Sequence, residues 1–408
     1  MKNNIVRRVA VVGLALCGSA RADVIVDWNA RADAIATEKQ LGSPAHGRGL
    51  VMMHIAMFEA LNAIDRRYQP YRLNLVADRN TSHEIAAATA GHDVLAALYP
   101  DQRAALDALL EQQMAAVPDG PPRERALILG RKAAAEILEL RRADGSGAAD
   151  TYRPVTPPGQ YVPTTAVAGA SVGAWTPWVM SRGDQFRPAP PPALSSAVWT
   201  RDLNEIREIG GAGSSARSEQ QTTVGRFWFV TGARAWNPMV AQLAMAKQMD
   251  LLDCARLFAL TSLAGMDAYI AVFEAKYHYN FWRPVTAIRD ADQTGNASTP
   301  REAGWLPLGE TPMHPEYPCA HCITSSAVAA VIRGVVGEDI GTLTLTSATA
   351  PGVTRRWTRL DDYVNEVSNA RIWAGFHYRF STEVGKDMGR KIGELTVATQ
   401  LRPLRSQK

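Results

Sequence analysis

The chain has 408 residues, of which 46% are hydrophobic and 21% charged, so it has the composition of a globular protein with enough apolar surface for a large core. Its formal net charge is +4, but four cationic residues and no acidic residue lie within the first 22 positions. Without that segment the chain is formally neutral, which argues against a nucleic-acid-binding protein. Four cysteines are too few for a disulfide scaffold.

The first 22 residues have the layout of a cleavable secretory signal. Cationic residues precede an apolar run from Val9 to Cys17, and the small residues of Ala20-Arg21-Ala22 form a cleavage site. We therefore expect this signal peptide to be removed and the protein to be exported, to the periplasm or beyond the cell. The remaining sequence has no run of about 18 uninterrupted apolar residues, so no membrane span is expected in the mature chain.

Residues 23–145 are predicted to form an amino-terminal helical region. Apolar residues recur there at spacings of three and four, on segments rich in Ala, Leu, Met and Glu, which is typical of amphipathic helices. The predicted helices span 46–65, 83–98, 101–116 and 121–142.

Residues 146–195 have a different composition. Gly and Pro in DGSGAADTYRPVTPPGQY (144–161) and RPAPPPALSS (187–196) stop helices and favour turns or extended polyproline segments. We expect a long surface loop that connects two helical groups.

Residues 196–408 are predicted to form a carboxyl-terminal helical bundle. Helical spacing recurs over 195–209, 216–230, 237–248, 251–280, 322–335, 360–375 and 382–400. Strand-like alternation is scarce, apart from a short piece at 342–347. The sequence therefore predicts an all-α fold, a multi-helix bundle.

Three cations of the carboxyl-terminal bundle have no acidic neighbour at helical spacing. Lys276 and Arg283 lie seven residues apart, so a helix ending at Pro284 would place both on one face. No Asp or Glu lies three or four residues from either of them, or from Arg371. An isolated arginine is usually a solvated surface charge, but the aromatic and apolar flanks favour burial, where an unpaired charge is costly. We therefore expect a counter-anion, either a distant carboxylate or a bound oxyanion.

The segment Pro318–Cys322 (PCAHC) is predicted to begin an apolar helix. The first turn of a helix has unpaired N–H groups and the positive end of the helix dipole, so it can bind an anion. Ala320 is small enough to allow a close backbone approach, and His321 can exchange a proton near neutral pH. A lone histidine at a helix start is more often structural.

His377 is the second candidate for chemistry. It follows Gly375 in a predicted break between helices, where Ser381 and Thr382 are expected to cap the next helix. The alternative is a packed histidine that is satisfied by backbone groups.

The order of these residues resembles the signature of the vanadium-dependent haloperoxidases and the type 2 phosphatidic acid phosphatases. It runs from Lys276 through Arg283-Pro284 and Pro318-Cys319-Ala320-His321 to Arg371 with His377. Further segments resemble the soluble, exported bacterial haloperoxidase-like branch, namely DVIVDWNA (23–30), GDQFRPAPPP (183–192), SSARSEQQTTVGRFW (214–228) and HYNFWRPVTAIRDAD (278–292). The resemblance covers most of the mature chain.

This resemblance implies an almost wholly helical fold with an anion held between helices of the carboxyl-terminal half. It implies vanadate as cofactor, with phosphate able to occupy the same site. The residues implied to bind the oxyanion are Lys276, Arg283, Cys319, Ala320 and Arg371. His377 is implied to be the vanadium ligand, and His321 to act as acid and base.

The leading prediction is a vanadate-dependent haloperoxidase, which uses hydrogen peroxide to oxidise a halide and releases hypohalous acid or halogenates a small organic acceptor. The alternative is a soluble acid phosphatase, in which His377 attacks a phosphomonoester and forms a phosphohistidine. In such phosphatases an Asp usually follows that histidine by four residues, whereas this chain has Ser381, which favours the oxidase. A second alternative is a non-catalytic oxyanion-binding or thiol redox-sensing protein.

Cys319 and Cys322 form a Cys-x-x-Cys at the predicted helix start, where the dipole lowers the pKa of a thiol. The family usually has Ser-Gly in place of Cys319-Ala320, and a thiol donates a weaker hydrogen bond than a hydroxyl. A lower oxyanion affinity is therefore expected. In an exported protein these two cysteines could close a disulfide, but we expect two packed thiols rather than a functional redox switch. The tight spacing is poor for zinc, and Ile323 breaks the haem-attachment pattern.

Overall fold

The computed structural model describes residues 23–404, and the predicted secretory signal lies outside them. Within those residues the chain forms α-helices and a single two-stranded antiparallel sheet. The helices are α1 (Asp23–Glu38), α2 (Ser43–Asp65), α3 (His83–Leu98), α4 (Arg103–Ala115), α5 (Pro121–Leu140), α6 (Ala197–Ile209), α7 (Glu219–Phe227), α8 (Asn237–Ala246), α9 (Leu251–Tyr279), α10 (Pro284–Arg289), α11 (Ala320–Val336), α12 (Leu360–Trp373) and α13 (Arg379–Thr399). The predicted all-α class is confirmed.

Two helices were absent from the sequence-based prediction. Helix α1 buries Ile25, Trp28 and Ile35, so the spacing of three and four was present but lay directly after the predicted signal. Helix α10 has only six residues, which is too short for periodicity to mark it.

The predicted strand at 342–347 corresponds to β1 (Leu343–Ser347), which pairs with β2 (Ala350–Trp357). The register places Leu343 opposite Trp357, and a bulge lies between Thr346 and Ser347. The sequence did not predict β2, because most of its residues are at least partly exposed and supply little hydrophobic signal.

Helix α9 is the central element of the core. It packs against α2 from the amino-terminal region and against α11 and α13 from the carboxyl-terminal bundle, so one hydrophobic core runs through both regions. Among the described helices, α9 alone is long and apolar enough to cross a membrane by length and composition. Within the protein, however, 89% of its most apolar stretch is buried, as expected of a central core helix.

The connection 146–195 is only partly the predicted surface loop. Its backbone N–H groups at Trp178, Val179 and Met180 donate to the buried carboxylate of Asp267 on α9, at 2.7 to 2.8 Å. These bonds hold Trp178 in the core, where its side chain is buried. The loop therefore forms part of the wall around α9 rather than lying wholly on the surface.

The expectation that Lys276 and Arg283 share one helical face is wrong. Helix α9 ends at Tyr279, and Asn280 caps it in the left-handed conformation at φ 46°. Arg283 is extended, as favoured for a residue before proline, and Pro284 begins α10 instead of ending α9. The two cations are therefore brought together by a turn of the chain.

Candidate oxyanion site

The three predicted cations lie in the interior of the carboxyl-terminal bundle. The side chains of Lys276, Arg283 and Arg371 are 0%, 1% and 2% exposed. They come from the end of α9, the residue before α10 and the last turn of α12. Among the described residues, no carboxylate lies within ion-pair distance of any of the three, although the structure has many ion pairs elsewhere. Their buried charge is therefore not neutralised by direct salt bridges.

Two of the cations bind the backbone of the segment before α11. Lys276 Nζ donates to the carbonyl oxygens of Pro315 and Glu316, at 2.8 and 2.7 Å. Arg283 Nε donates to the carbonyl of His314 at 2.9 Å. Arg283 Nη1 also donates to the carbonyl of Phe376 at 2.9 Å. Carbonyl dipoles hold these cations in place but leave their formal charge uncompensated.

Arg371 has an unused donor. Its Nη1 donates to the carbonyl of Trp228 at 2.5 Å, and its guanidinium lies 4.8 Å from the ring centroid of Phe376. Its Nε is buried and has no hydrogen-bond partner among the described residues. A buried guanidinium N–H without an acceptor is costly unless a ligand supplies one.

The pKa values of the cations follow from burial. Burial lowers the pKa of Arg371 to about 9, and the nearby positive charge of Arg283 acts in the same direction. Burial also lowers the pKa of Arg283 to about 10 and that of Lys276 well below its ordinary value. The charged forms are penalised because water has been removed around them, so a bound anion would stabilise all three.

His377 faces this cluster through one ring nitrogen. Its Nδ1 lies 2.8 Å from Glu316 Oε1, and its Nε2 lies 3.2 Å from Arg283 Nη1. A guanidinium can only donate, so Nε2 is the acceptor and the proton is on Nδ1, which donates to Glu316. Burial and the three cations hold the pKa of His377 well below its ordinary value. His377 is therefore a neutral imidazole with an Nε2 lone pair beside the cations.

Glu316 is a residue of the candidate site that the sequence analysis did not identify. Its carboxylate also accepts from the Tyr378 backbone N–H at 3.1 Å, while its own carbonyl binds Lys276. Its side chain is 0% exposed, and burial raises its pKa to about 7. The one signal available was an acidic residue between two prolines in HPEYP, outside any helical pattern.

Ser381 does not take the place of the phosphatase Asp beside His377. Glu316, from a different segment, lies beside His377 Nδ1. Ser381 and Thr382 also do not cap α13, since the residue that precedes this helix makes no side-chain cap bond. The amino end of α13 instead receives the carboxylates of Glu316 and Asp202, which accept from the N–H groups of Tyr378 and Phe380.

His321 lies on the first turn of α11 beside the same cavity. Its Nε2 is 3.0 Å from the carbonyl of Val230, which can only accept, so Nε2 carries the proton and Nδ1 is free to take one. Burial lowers the pKa of His321, and the positive charge of Arg371 lowers it further. Ala320, the first residue of α11, also lines the cavity.

The expectation of two packed thiols is wrong, because Cys319 and Cys322 form a disulfide. The Cys322 N–H donates to Cys319 Sγ at 3.2 Å, so the sulfur caps the helix. A methyl group added at Gly385 of α13 would lie 3.0 Å from Cys322 Cβ and 3.4 Å from Cys319 Cβ, which places the disulfide against α13. Cys319 therefore has no thiol to offer an oxyanion, and the Cys319 side chain does not line the cavity.

A cavity of about 680 Å³ opens onto this cluster. His314, Arg371 and His377 lie in its wall, and aromatic residues form much of the remainder. His314 Nδ1 lies 2.9 Å from Arg283 Nη2 and accepts from it, so His314 joins the site although the sequence analysis gave it no role. The structure thus brings together Lys276, Arg283, Arg371, His321 and His377, whereas it turns Cys319 away.

Comparisons with known proteins point to one superfamily. Residues 256–405 match the sequence profile of the VCPO second helical-bundle domain. The chain is similar to the vanadium chloroperoxidase of Curvularia inaequalis, with 26% identity over 387 residues that cover 74% of this chain. The matched region spans 62% of the length of that relative.

Solved structures agree on the fold. A bacterial vanadium-dependent iodoperoxidase superposes with a TM-score of 0.81 at 23% identity, covering 94% of this chain and 97% of the other. The holo form of a bacterial vanadium-dependent chloroperoxidase superposes with a TM-score of 0.69 at 18% identity, covering 88% of this chain and 92% of the other. At these identities the likeness establishes the helical-bundle architecture.

Proposed function

Because this chain belongs to the superfamily of the vanadium-dependent haloperoxidases, we propose that it is a vanadate-dependent haloperoxidase, which uses hydrogen peroxide to oxidise a halide. The observation that carries the proposal is the convergence of three buried cations on the unprotonated Nε2 of His377. Within residues 23–404 these cations have no direct carboxylate partner. An oxyanion would supply the missing negative charge, and His377 Nε2 would supply a ligand.

The residues present fit vanadate. Arg371 Nε is a buried donor without a protein acceptor, which an oxyanion oxygen would satisfy. Among the described residues, the nearby carboxylate is Glu316, which is engaged with His377 and has a raised pKa, so it offsets the three cations only in part. Lys276, Arg283 and Arg371 would hold the oxyanion, and His377 would bind the metal.

The protein's own groups account for the rest of the chemistry. When bound, vanadate supplies a Lewis acid that activates hydrogen peroxide. Glu316 accepts a hydrogen bond from His377 Nδ1–H, which keeps Nε2 free as a ligand and orients the ring. His321 Nδ1 can take a proton from peroxide, because Nε2 is already committed to Val230. The cations stabilise negative charge that builds up at the oxyanion.

The test is a halide-oxidation assay on protein loaded with vanadate, with hydrogen peroxide and either bromide or iodide. Oxidised halide should form only with vanadate, and His377→Ala should reduce the rate by at least about 1000-fold, because a ligand group is lost. The exposed histidine His278 provides the matched control, and His278→Ala should retain full activity. No vanadate-dependent oxidation of either halide between pH 5 and 9 would refute the proposal.

A soluble acid phosphatase is the second candidate, and Glu316 specifically favours it. A carboxylate on Nδ1 stabilises the positive charge that develops on an attacking imidazole, which removes the sequence-based reason for preferring the oxidase. This candidate predicts hydrolysis of an aryl phosphate without vanadate, inhibition by vanadate and loss of turnover in His377→Ala. An inert wild-type protein in that assay would count against it.

We also propose that the protein is exported, on the basis of the signal-like residues 1–22. Amino-terminal sequencing of the protein from cell fractions tests this. Cleavage after Ala22 is expected, and an intact Met1 in the cytosolic fraction would contradict it.

A further inference from the structure

The cavity beside the oxyanion site is larger than the proposed reaction of inorganic substrates requires. Its volume is about 680 Å³, whereas a halide ion and a peroxide molecule each need a space of the order of one or two water volumes, about 30 Å³ apiece. Cavities of about 300 to 1,000 Å³ are typical of sites that enclose organic ligands. The available space therefore suits an organic molecule in addition to the oxyanion and the halide.

The wall of this cavity is predominantly apolar and contains several aromatic rings. Seven aromatic side chains contribute to it, from Trp228, Phe229, Trp236, Tyr269, Phe273, Tyr363 and Phe376. The rings contact one another, with centroids 5.4 Å apart for Phe229 and Phe376 and 6.4 Å apart for Tyr269 and Phe273. Such a surface binds flat apolar rings through stacking and edge contacts.

Two glycines allow these rings to take their positions. A methyl group at Gly169 would lie 2.5 Å from the ring of Phe273, and one at Gly309 would lie 2.6 Å from the ring of Phe229. Gly169 also has φ +72°, which a larger residue adopts only with strain. The loop 146–195 and the segment before α11 are therefore shaped closely around the aromatic wall.

The charged residues around the cavity restrict the charge that an organic ligand can carry. Arg371 and the neighbouring Arg283 and Lys276 make its inner end positive, so an organic cation would be repelled there. An organic anion would compete with the oxyanion for the same cations. Among the described residues that line the cavity, Glu310 is the only carboxylate. A neutral ring system is therefore favoured.

Two lining side chains also offer polar contacts. Trp236 Nε1 and the Tyr363 hydroxyl are buried and have no hydrogen-bond partner among the described residues. Trp236 can donate and Tyr363 can donate or accept, so a hydroxyl substituent on the ring would match them.

We propose that this cavity binds a neutral, electron-rich aromatic molecule, a phenol of one or two rings, and holds it beside the oxyanion site for halogenation. The proposal rests on the proposed haloperoxidase function. Hydrogen peroxide, halide and a proton give hypohalous acid and water. The hypohalous acid then transfers its halogen to a ring carbon, a C–H bond is replaced by a carbon–halogen bond, and the released proton leaves with the hydroxide as water.

Binding is tested first, by calorimetric titration of the purified protein with 2-naphthol in the absence of peroxide and halide. Saturable binding with one site is expected. Thr231→Trp should weaken this binding at least 10-fold, because Thr231 lies in the cavity wall and the larger side chain would occupy part of the cavity. Thr231 is exposed and its side chain makes no cap bond, so the substitution removes no contact that holds the fold. Thr156→Trp, at an exposed position away from the cavity, is the matched control and should bind like wild type. Absence of saturable binding to wild type would overturn the proposal.

Turnover provides the second readout. 2-Naphthol and a phenol attached to a large soluble polymer compete for halogenation, and the product ratio is compared with that from reagent hypobromite. The enzyme should favour 2-naphthol at least 10-fold over the reagent ratio, and Thr231→Trp should lose this preference. The same ratio as the reagent would show that hypobromite escapes before reacting, which overturns the proposal.

Iodide oxidation without an organic acceptor separates the two proposals. Thr231→Trp should retain that activity, since iodide and peroxide are small. If wild type lacks iodide oxidation but binds 2-naphthol, the proposed function fails together with the halogenation step, and only the assignment of the cavity as a phenol-binding site stands. If it oxidises iodide but neither binds 2-naphthol nor prefers it, the cavity assignment fails and the function stands.

Discussion

Arg141 and Arg371 are both buried, in two regions of the molecule, and their charges are compensated in different ways. Near the end of α5, Arg141 is 3% exposed and lies 3.3 Å from Asp144, donates to the carbonyls of Thr176 and Pro177, and stacks 3.8 Å from the ring centroid of Trp178. In the carboxyl-terminal bundle, Arg371 has one carbonyl acceptor and an unpaired Nε. The carboxylate of Asp144 gives the buried Arg141 a structural explanation, whereas the unpaired Nε of Arg371 would be satisfied by an external anion.

The same contrast applies to buried carboxylates. Glu59 accepts from the backbone N–H groups of Tyr71, Arg72 and Leu73, so its contacts are those of a structural anchor. Glu316 instead contacts His377, and its carbonyl fixes Lys276. Burial raises the pKa of both carboxyl groups to about 7, so the pKa alone does not distinguish a functional carboxylate from a structural one. The partners of the group make that distinction.

The largest difference in vanadate affinity and in the free energy of unfolding is expected between Arg371→Met and Arg141→Met. Removal of Arg371 should weaken vanadate binding about 100-fold, because a charged donor is lost, and should leave the free energy of unfolding within about 1 kcal/mol of wild type. Removal of Arg141 should cost about 3 kcal/mol of stability, because Asp144 and two carbonyls lose their buried partner, and should leave vanadate affinity unchanged. Calorimetric titration and urea unfolding measure the two quantities. Equal destabilisation by both substitutions would contradict the contrast.

Substitution of Glu316 should change the activity, whereas the same substitution at Glu59 should not. In Glu316→Gln the amide still accepts from His377 Nδ1 but carries no charge, so we expect turnover to fall by about 10-fold. The acid limb near pH 7 in the pH–rate profile should also disappear, because it reports ionisation of Glu316. Glu59→Gln is the matched control and should retain both the rate and the profile. A pH–rate profile unchanged in Glu316→Gln would contradict the assigned role.

Glu59 and Glu316 also make the free energy of unfolding depend on pH. The folded protein retains protons on these groups up to about pH 7, while the unfolded chain releases them near the ordinary carboxyl pKa. Each group therefore makes the free energy of unfolding fall as the pH rises across that window, and each Gln substitution should flatten the slope. Urea titrations at several pH values measure this effect.

Anion affinity should also depend on pH through the cations. Because burial lowers the pKa of Arg371 to about 9 and of Arg283 to about 10, positive charge is lost as the pH rises through that range. Tungstate, whose charge is constant above neutral pH, should bind at least about 10-fold more weakly at pH 10.5 than at pH 8. Calorimetric titration measures this, and an affinity that stays constant to pH 10.5 would contradict it.

The smallest change in vanadate affinity is expected from substitution of the disulfide between Cys319 and Cys322. Its side chains pack against α13 rather than the cavity, so Cys319→Ser combined with Cys322→Ser should change vanadate affinity by less than about 3-fold. Reduction of the wild-type disulfide should have an equally small effect. A larger gain would mean that residue 319 turns toward the oxyanion once the disulfide is opened.

The sequence predicted the parts of the molecule that local pattern determines. Apolar spacing located most helices, including the buried α9, and the signature positions grouped Lys276, Arg283 and Arg371 with the two histidines. Their assigned roles remain predictions. The structure adds that a turn at Asn280, rather than a shared helical face, brings Lys276 and Arg283 together.

Contacts between residues that are distant in the chain could not be predicted from local sequence patterns. Glu316 meets His377 across 61 positions of the chain, and no local spacing encodes that contact. The aromatic cavity draws its wall from several distant segments, so its volume depends on how those segments pack. The pairing of Cys319 with Cys322 was open for a different reason, since their spacing is compatible with thiols or with a disulfide.

A crystal structure of the protein soaked in tungstate, with the anomalous signal used to locate the metal, shows directly whether the three cations bind an oxyanion. We predict one strong peak enclosed by Lys276, Arg283 and Arg371, next to His377 Nε2. A peak elsewhere, or no peak at saturating tungstate with the three cations still unpaired, would contradict it.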